Sequence, residues 1–269
     1  MFPLAAHLPA HFKRNSVDLR ERNTSLPPKM IATRMRRTLL FKTIVKDSVP
    51  ITEQPRYSFL TPSFENTSSV TDMTEAEAMN WLFNDPFFRE DFIKEFFPDP
   101  FKIRHHFGLV EPFTTSNQKP GDIDLLLVHP DYPDMSIAFE TKRVKVIQTA
   151  EGADLVNRLS GISKGIVQAN AYRALGFHQT YLLVIILDDG RHIEAPNIIF
   201  HYNKTHKLNL VYDIPMSEEL HREVGVIYVR INQMTGKDFN HSSSIGYCID
   251  KAAVPITQTA EMTNKVRSL

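Results

Sequence analysis

Two short segments place acid and amine groups inside apolar surroundings: Gly121-Asp122-Ile123-Asp124-Leu125-Leu126-Leu127-Val128 and Phe139-Glu140-Thr141-Lys142-Arg143. Side chains alternate along a strand, so Asp122 and Asp124 share one face, and Glu140 and Lys142 share one face. The stretch between them, His129 to Ser136, carries two prolines and two aspartates and reads as a turn centred near residue 132. Antiparallel pairing about that centre sets Asp124 opposite Glu140 and Asp122 opposite Lys142. Carboxylates directly opposite one another repel, and burying them is costly without a compensating partner. A divalent cation between Asp124 and Glu140 resolves the conflict, and oxygen donors of this kind suit Mg2+ or Mn2+. Lys142 lies on the same face, where an ammonium can orient a water or stabilise negative charge on a phosphate under attack. A bound cation also lowers the pKa of its water and neutralises phosphate oxygens. These are the components that hydrolysis of a phosphodiester needs. A solvated hairpin face with ordinary ion pairs is the competing explanation. It sits poorly with Ile123, Leu125 to Val128, and Ile137 to Phe139, which make both segments apolar on both faces.

The elements that must hold these groups begin near Thr71. Thr74-Glu75-Ala76-Glu77 matches a capping box ahead of an apolar helix containing Met79, Trp81, Leu82 and Phe83. Asp85 can cap a second helix with Pro86 at its first position, and Phe88, Phe92 and Phe96 recur at a spacing that predicts core packing. Strands are predicted at Ile123 to Val128 and Ile137 to Val146. A helix rich in small residues follows from Gly161 to Leu175, then an apolar strand from Tyr181 to Leu187, closed by the turn residues Asp188-Asp189-Gly190. Further short strands are expected at Asn197 to Tyr202, Leu208 to Tyr212 and Val226 to Ile231. This order predicts an α/β fold, a mixed central sheet flanked by helices. Residues 1–70 read as a basic, loosely packed arm, residues 71–235 as the folded domain, and residues 236–269 as a polar tail.

With the Gly-x-x-Asp, strand, Glu-x-Lys order in place, the chain resembles the PD-(D/E)xK nuclease superfamily, which includes restriction endonucleases and RecB-like exonucleases. Pro120 precedes Gly121 here instead of standing next to the aspartate. The resemblance implies a restriction-endonuclease-like αβββαβ core over about residues 74 to 190. It implies that Asp124 and Glu140 are metal ligands, that the Thr141 backbone carbonyl is a further ligand, and that Lys142 is the catalytic lysine. Gln168-Ala169-Asn170-Ala171-Tyr172 matches a Gln-x-x-x-Tyr that RecB-like nucleases carry on the helix after the Glu-x-Lys strand. Gln168 and Tyr172 share a helix face, with Lys164 one turn earlier. Many members add a glutamate from the first core helix. Glu77 and Glu75 are candidates there, although the capping box already explains Glu77; Glu90 and Glu95 compete on the second helix, and Asp122 is a further acidic candidate. Arg143, Lys145, Lys164 and Arg173 are candidate contacts to a nucleic-acid backbone.

The chain has 269 residues, 31 Lys plus Arg against 31 Asp plus Glu, and one cysteine. The zero net charge counts against a simple nucleic-acid-coating role. A single cysteine excludes an internal disulfide framework and a cysteine-rich zinc site. The first ten residues lack a basic n-region, and no apolar run is long enough to span a bilayer, so a soluble, cytoplasmic protein is expected. No phosphate-binding loop, dinucleotide fingerprint or nucleophile elbow occurs. The 11 histidines show no metal-binding spacing. The expected partner is DNA, and the chief alternative is a catalytically inactive protein of the same fold that binds nucleic acid or a protein.

Overall fold

Thr74 starts the first long helix, α1 (Glu75–Asn84). Its hydroxyl accepts from the Glu77 N–H, and the Glu77 carboxylate accepts from the Thr74 N–H, satisfying two donors that a helix start leaves open. Asp85 ends α1 and caps α2 (Pro86–Lys94), accepting from the N–H groups of Phe87 and Phe88. Phe88 and Phe92 are buried, and the rings of Phe83, Phe88, Phe92, Phe96 and Phe139 pack stacked, tilted or edge to face. The aromatic stripe is core, as its spacing predicts.

The computed structural model of the chain describes residues 42–44, 69–113, 121–148, 154–189, 206–216, 219–233 and 244–269. Two units divide the chain, Met1–Thr38 and Leu39–Leu269, and every described residue belongs to the second. Its strands are β1 (Lys42–Ile44), β2 (Arg104–Leu109), β3 (Ile123–His129), β4 (Tyr132–Gln148), β5 (Asp154–Asn157), β6 (Gln179–Asp189), β7 (Gly225–Gln233) and β8 (Ser244–Lys251). They form one sheet in the order β1-β8-β7-β6-β4-β3-β2, with β5 paired to β4. Strands β4, β6 and β7 run parallel and the other pairs are antiparallel, so the sheet is mixed and the class is α/β. The other helices are α3 (Leu159–Leu175), α4 (His206–Asp213) and α5 (Ala260–Arg267).

Alternation sorts the strand residues into two cores. Leu125, Phe139, Leu183 and Val229 face the layer of α1 and α2. Leu182, Val184, Val226 and Tyr228 face Ile162, Ile166 and Ala169 of α3 and Val211 of α4. Strand β6 is buried on both faces from Thr180 to Asp189, which explains its unbroken apolar run. No helix among the described residues is long and apolar enough to cross a membrane.

Several expectations are corrected. Only Pro130 and Asp131 separate β3 from β4, because Gln258 holds residues 132–136 extended: Ser136 donates to its side-chain oxygen at 2.6 Å, and its amide donates to the Pro133 carbonyl at 2.9 Å. The segment Leu208 to Tyr212 is helical, within α4; a short apolar run fits either period. Asp188 and Asp189 do not form a turn. They end β6 as buried residues, Asp188 paired with the buried Arg230 and Asp189 accepting from Ser69 Oγ at 2.6 Å. The expected C-terminal tail contributes β8, which joins β7 to β1, and α5, whose Met262 and Val266 pack with Leu126, Val128 and Ala138. Within the expected N-terminal arm, Lys42–Ile44 forms a strand, and residues 1–41 and 45–68 lie outside the described residues. So do Asn197 to Tyr202, while Val226 to Ile231 lies in β7.

Candidate active site

The β3–β4 ladder runs Leu127↔Ile137, Leu126↔Ala138, Leu125↔Phe139 and then stops, while β3 stays paired to β2 as far as Leu109↔Ile123. One further step of that register sets Asp124 level with Glu140. Pairing on this side of β4 resumes only at Lys145↔Asn157 with β5. Between the two ladders, residues 140–144 of β4 face a gap in the sheet.

Backbone donors facing a gap need acceptors, and two of them find carboxylates. The Thr141 N–H donates to Asp124 Oδ2 at 2.6 Å, and the Thr141 hydroxyl donates to the same oxygen at 2.8 Å. The Arg143 N–H donates to Glu75 Oε2 at 3.0 Å. The splaying of β3 from β4 thus draws Asp124 and Glu75 to one place. Tyr172, fully buried on α3, holds the splay from the other side, its hydroxyl donating to the Asp122 carbonyl. Gln168, one turn earlier, lies against the same approach to β3; a Cβ added to Gly121 would stand 3.9 Å from its amide nitrogen.

Lys142 reaches the cluster along a channel in α3. A Cβ on Gly165 would fall 2.6 Å from Lys142 Cγ and 2.9 Å from Leu182 Cδ1, and one on Gly161 would lie 4.0 Å from Lys142 Cδ. The two glycines, one turn apart, leave room for the lysine stem. The ammonium donates to the Thr141 carbonyl at 2.7 Å and stands 3.6 Å from Glu75 and 3.9 Å from Asp124. It is in direct contact with Glu140 Oε1. Glu140 itself is 0% exposed, and the Tyr172 hydroxyl also lies close to its carboxyl.

Gly165→Ala is expected to push Lys142 out of line and to lower any activity that depends on it by about 10²-fold. Overpacking should cost roughly 1–3 kcal/mol of stability. Urea unfolding and a rate assay on the same preparation check both; wild-type behaviour in both would contradict the packing described.

The electrostatics follow from burial. Burial pushes the Asp124 carboxyl up to about 6, against the opposing pull of Lys142 and the two Thr141 hydrogen bonds. Burial, then the Asp124 charge, pushes Glu140 up to about 8, although Lys142 and the nearby Tyr172 hydroxyl pull it down. Burial alone would lower Lys142, yet Glu140, Asp124 and Glu75 together hold it above its ordinary range. Burial, then the charges of Glu140 and Asp124, raises the Tyr172 phenol.

These shifts have a consequence for folding. A carboxyl raised in the folded state binds protons that the unfolded chain has already lost, so stability falls as pH rises. Asp124 acts between about 4 and 6, and Glu140 from about 4.5 to about 8. His105 and His106, depressed first by burial, act in the opposite sense, but only below their ordinary value of 6.5. The metal-free protein should therefore lose on the order of 1–2 kcal/mol between pH 7 and pH 9. Chelator-treated samples in urea would reveal it, and rising stability across that range would contradict the buried, protonated Glu140.

Asp124, Glu140 and Lys142 are brought together, with Thr141 beside them. Of the two first-helix glutamates, Glu75 joins the cluster and Glu77 does not. The Glu77 carboxylate is spent on the Thr74 N–H, which also holds its pKa low. Asp122 is exposed beyond the last β3–β4 pair and does not meet Lys142; Tyr172 takes its carbonyl. Tyr172 and Gln168 pack against the start of β3. Lys164 is exposed on α3. Arg143 alternates away from Lys142 to the other face of β4, and Arg173 is paired with Glu223. Glu95 and the neighbouring Asp91 on α2 share the Tyr247 hydroxyl, away from this cluster. Among the described residues no group of three or more His, Cys, Asp or Glu side chains converges as a metal cage. The oxygens of Asp124, Glu140, Glu75 and the Thr141 carbonyl surround the Lys142 ammonium. No protein-family model, curated protein or solved structure matches the chain.

Proposed function

We propose that this chain is a nuclease, dependent on Mg2+ or Mn2+, that hydrolyses DNA phosphodiester bonds on a restriction-endonuclease-like core of the PD-(D/E)xK type. The observation that carries the reading is the gap beside β4. There the wholly buried Glu140 stands one register step beyond the last β3–β4 pair, beside Asp124 and in contact with Lys142. Carboxyl groups crowded against a single ammonium are costly to bury, and an oxygen-preferring divalent cation would remove that cost. The order α1, α2, β2, β3, β4, β5, α3, β6 supports an αβββαβ core with the short β5 added between β4 and α3.

Asp124, Glu140 and the Thr141 carbonyl would hold the cation, with Glu75 adjacent. A cation bound there supplies Lewis acidity at the phosphate and makes neighbouring water easier to deprotonate. The chain's own groups do the rest. Thr141 fixes the Asp124 carboxylate through two hydrogen bonds, so its orientation is set before substrate arrives. Lys142, guided by the α3 glycines, offers an ammonium to a water or to negative charge building on the phosphate. Tyr172 tethers the start of β3 through the Asp122 carbonyl, and Gln168 lies beside it at Gly121. Lys164 offers an exposed cation to the phosphate backbone.

A second reading, a non-catalytic protein of the same fold, is favoured by one observation: Lys142 already supplies a counter-charge to Glu140. Incubation of the full chain with linear, circular and single-stranded DNA, with Mn2+ or with chelator, separates the two. Cleavage in Mn2+ that stops in chelator is the expected result. Saturable metal binding with no product from any substrate would favour the second reading.

A further inference from the structure

Beside the gap, a second group of charges lies on the other face of β4. Arg143 and Lys145 project from the same side of the strand. The pairing Lys145↔Asn157 brings the next residue, Arg158, alongside them. Arg158 heads α3 in the left-handed backbone conformation, φ 71°, and its side chain makes no capping bond. A side-chain-bearing residue held there is uncommon outside Asn, Asp and Gly. Among the described residues these three cations form no ion pair, and Arg143 Nη1 is buried without an acceptor.

The acids close by are already engaged. Glu75 takes the Arg143 N–H and faces Lys142. Glu77 takes the Thr74 N–H, and Asp72 takes the Ser69 N–H. Burial, then Arg143 and Arg158, holds Lys145 below its ordinary range despite these acids. A buried guanidinium nitrogen without an acceptor is a cost the fold alone does not offset. Two guanidinium forks and an ammonium suit a group with several anionic oxygens. Lys145 stands three residues from Lys142, roughly 10 Å along the strand and on the opposite face, so a nucleic-acid strand reaches both by passing the gap edge beside residues 140–144.

We propose that Arg143, Lys145 and Arg158 form a subsite for a backbone phosphate flanking the one presented to Lys142. This deepens the nuclease reading and rests on it for the identity of the ligand. The subsite grips the strand without reading bases.

The test is fluorescence anisotropy of the full chain in chelator, where no cleavage occurs, with a labelled 20-nucleotide single strand and its duplex, over a KCl series. The double variant Lys145→Gln/Arg158→Gln should bind about 10-fold more weakly at low salt. Its dependence of log affinity on log salt should be shallower by about 1.4–1.8. Arg158→Gly, which suits the left-handed backbone, should give about half that change. Lys265→Gln on α5, whose lysine pairs with Glu261, should leave affinity and slope unmoved. Wild-type affinity and slope in the double variant, or no binding of either probe by the wild type, would overturn the subsite. A parallel Mn2+ incubation separates the two readings. Lys145- and Arg158-dependent binding without cleavage would keep the subsite and remove the nuclease. Cleavage with an unchanged salt slope would do the reverse.

Discussion

Glu140→Gln should abolish DNA cleavage and, in chelator at pH 9, raise the melting temperature by roughly 5–10 °C. The two effects share one cause. Glu140 is wholly buried, and burial together with the Asp124 charge pushes its carboxyl up to about 8. At pH 9 the wild-type group is ionised against that resistance, at a cost on the order of a few kcal/mol. Glutamine keeps the shape and removes the charge, so the metal-free fold gains. On the proposed reading a divalent cation binds that same charge, so cleavage should fall by at least ~10³-fold. The decline in stability between pH 7 and pH 9 should also flatten in the variant. Calorimetry at the two pH values and a gel assay in Mn2+ check the prediction. A variant that is destabilised at pH 9 and still cleaves would contradict both halves.

Lys142→Met is the second large effect. The methionine keeps an unbranched stem in the channel beside Gly161 and Gly165 and removes the ammonium. Cleavage should drop by about 10²–10³-fold or more. Glu140, Asp124 and Glu75 lose their shared counter-charge. Breaking a buried pair costs about 3–5 kcal/mol, and the loss should be largest above pH 8, where Glu140 ionises. Mn2+ should bind the variant at least as tightly as the wild type, because no ammonium competes for the same oxygens, and should restore the lost stability. Weakened Mn2+ binding would mean that the lysine helps to build the cation site and does not compete for it.

Much of this centre was legible in the sequence, because strand alternation is rigid. The turn itself lies at Pro130 and Asp131, but a register shift between Leu127 and His129 gives the ladder the pairing that a centre at residue 132 and a period of two predict. The observed ladder follows that register as far as Leu125↔Phe139. What alternation does not encode is where a ladder stops. The splay of β3 moves Asp122 out of register with Lys142, and Tyr172 is the residue that holds it there. Choosing Glu75 over Glu77 required the direction of the unpaired Arg143 N–H. The glycines at 161 and 165 read only as small residues on a helix; their role depends on a lysine from another element. The C-terminal segment looked polar because β8 and α5 each bury one narrow face, through residues such as Ile245, Tyr247, Met262 and Val266. The segment Leu208 to Tyr212 had too few turns for its period to show.

The proposed nuclease activity requires Asp124 and Glu140 to act together as an oxygen site for a divalent cation. Titration calorimetry of the full chain with Mn2+ at pH 8, in two buffers of different ionisation enthalpy, tests this most directly, with Asp124→Asn alongside. The prediction is saturable binding by the wild type with release of a fraction of a proton from Glu140, whose carboxyl is raised to about 8, and loss of that binding in Asp124→Asn. Absence of saturable heat in the wild type, or the same isotherm from the variant, would contradict it.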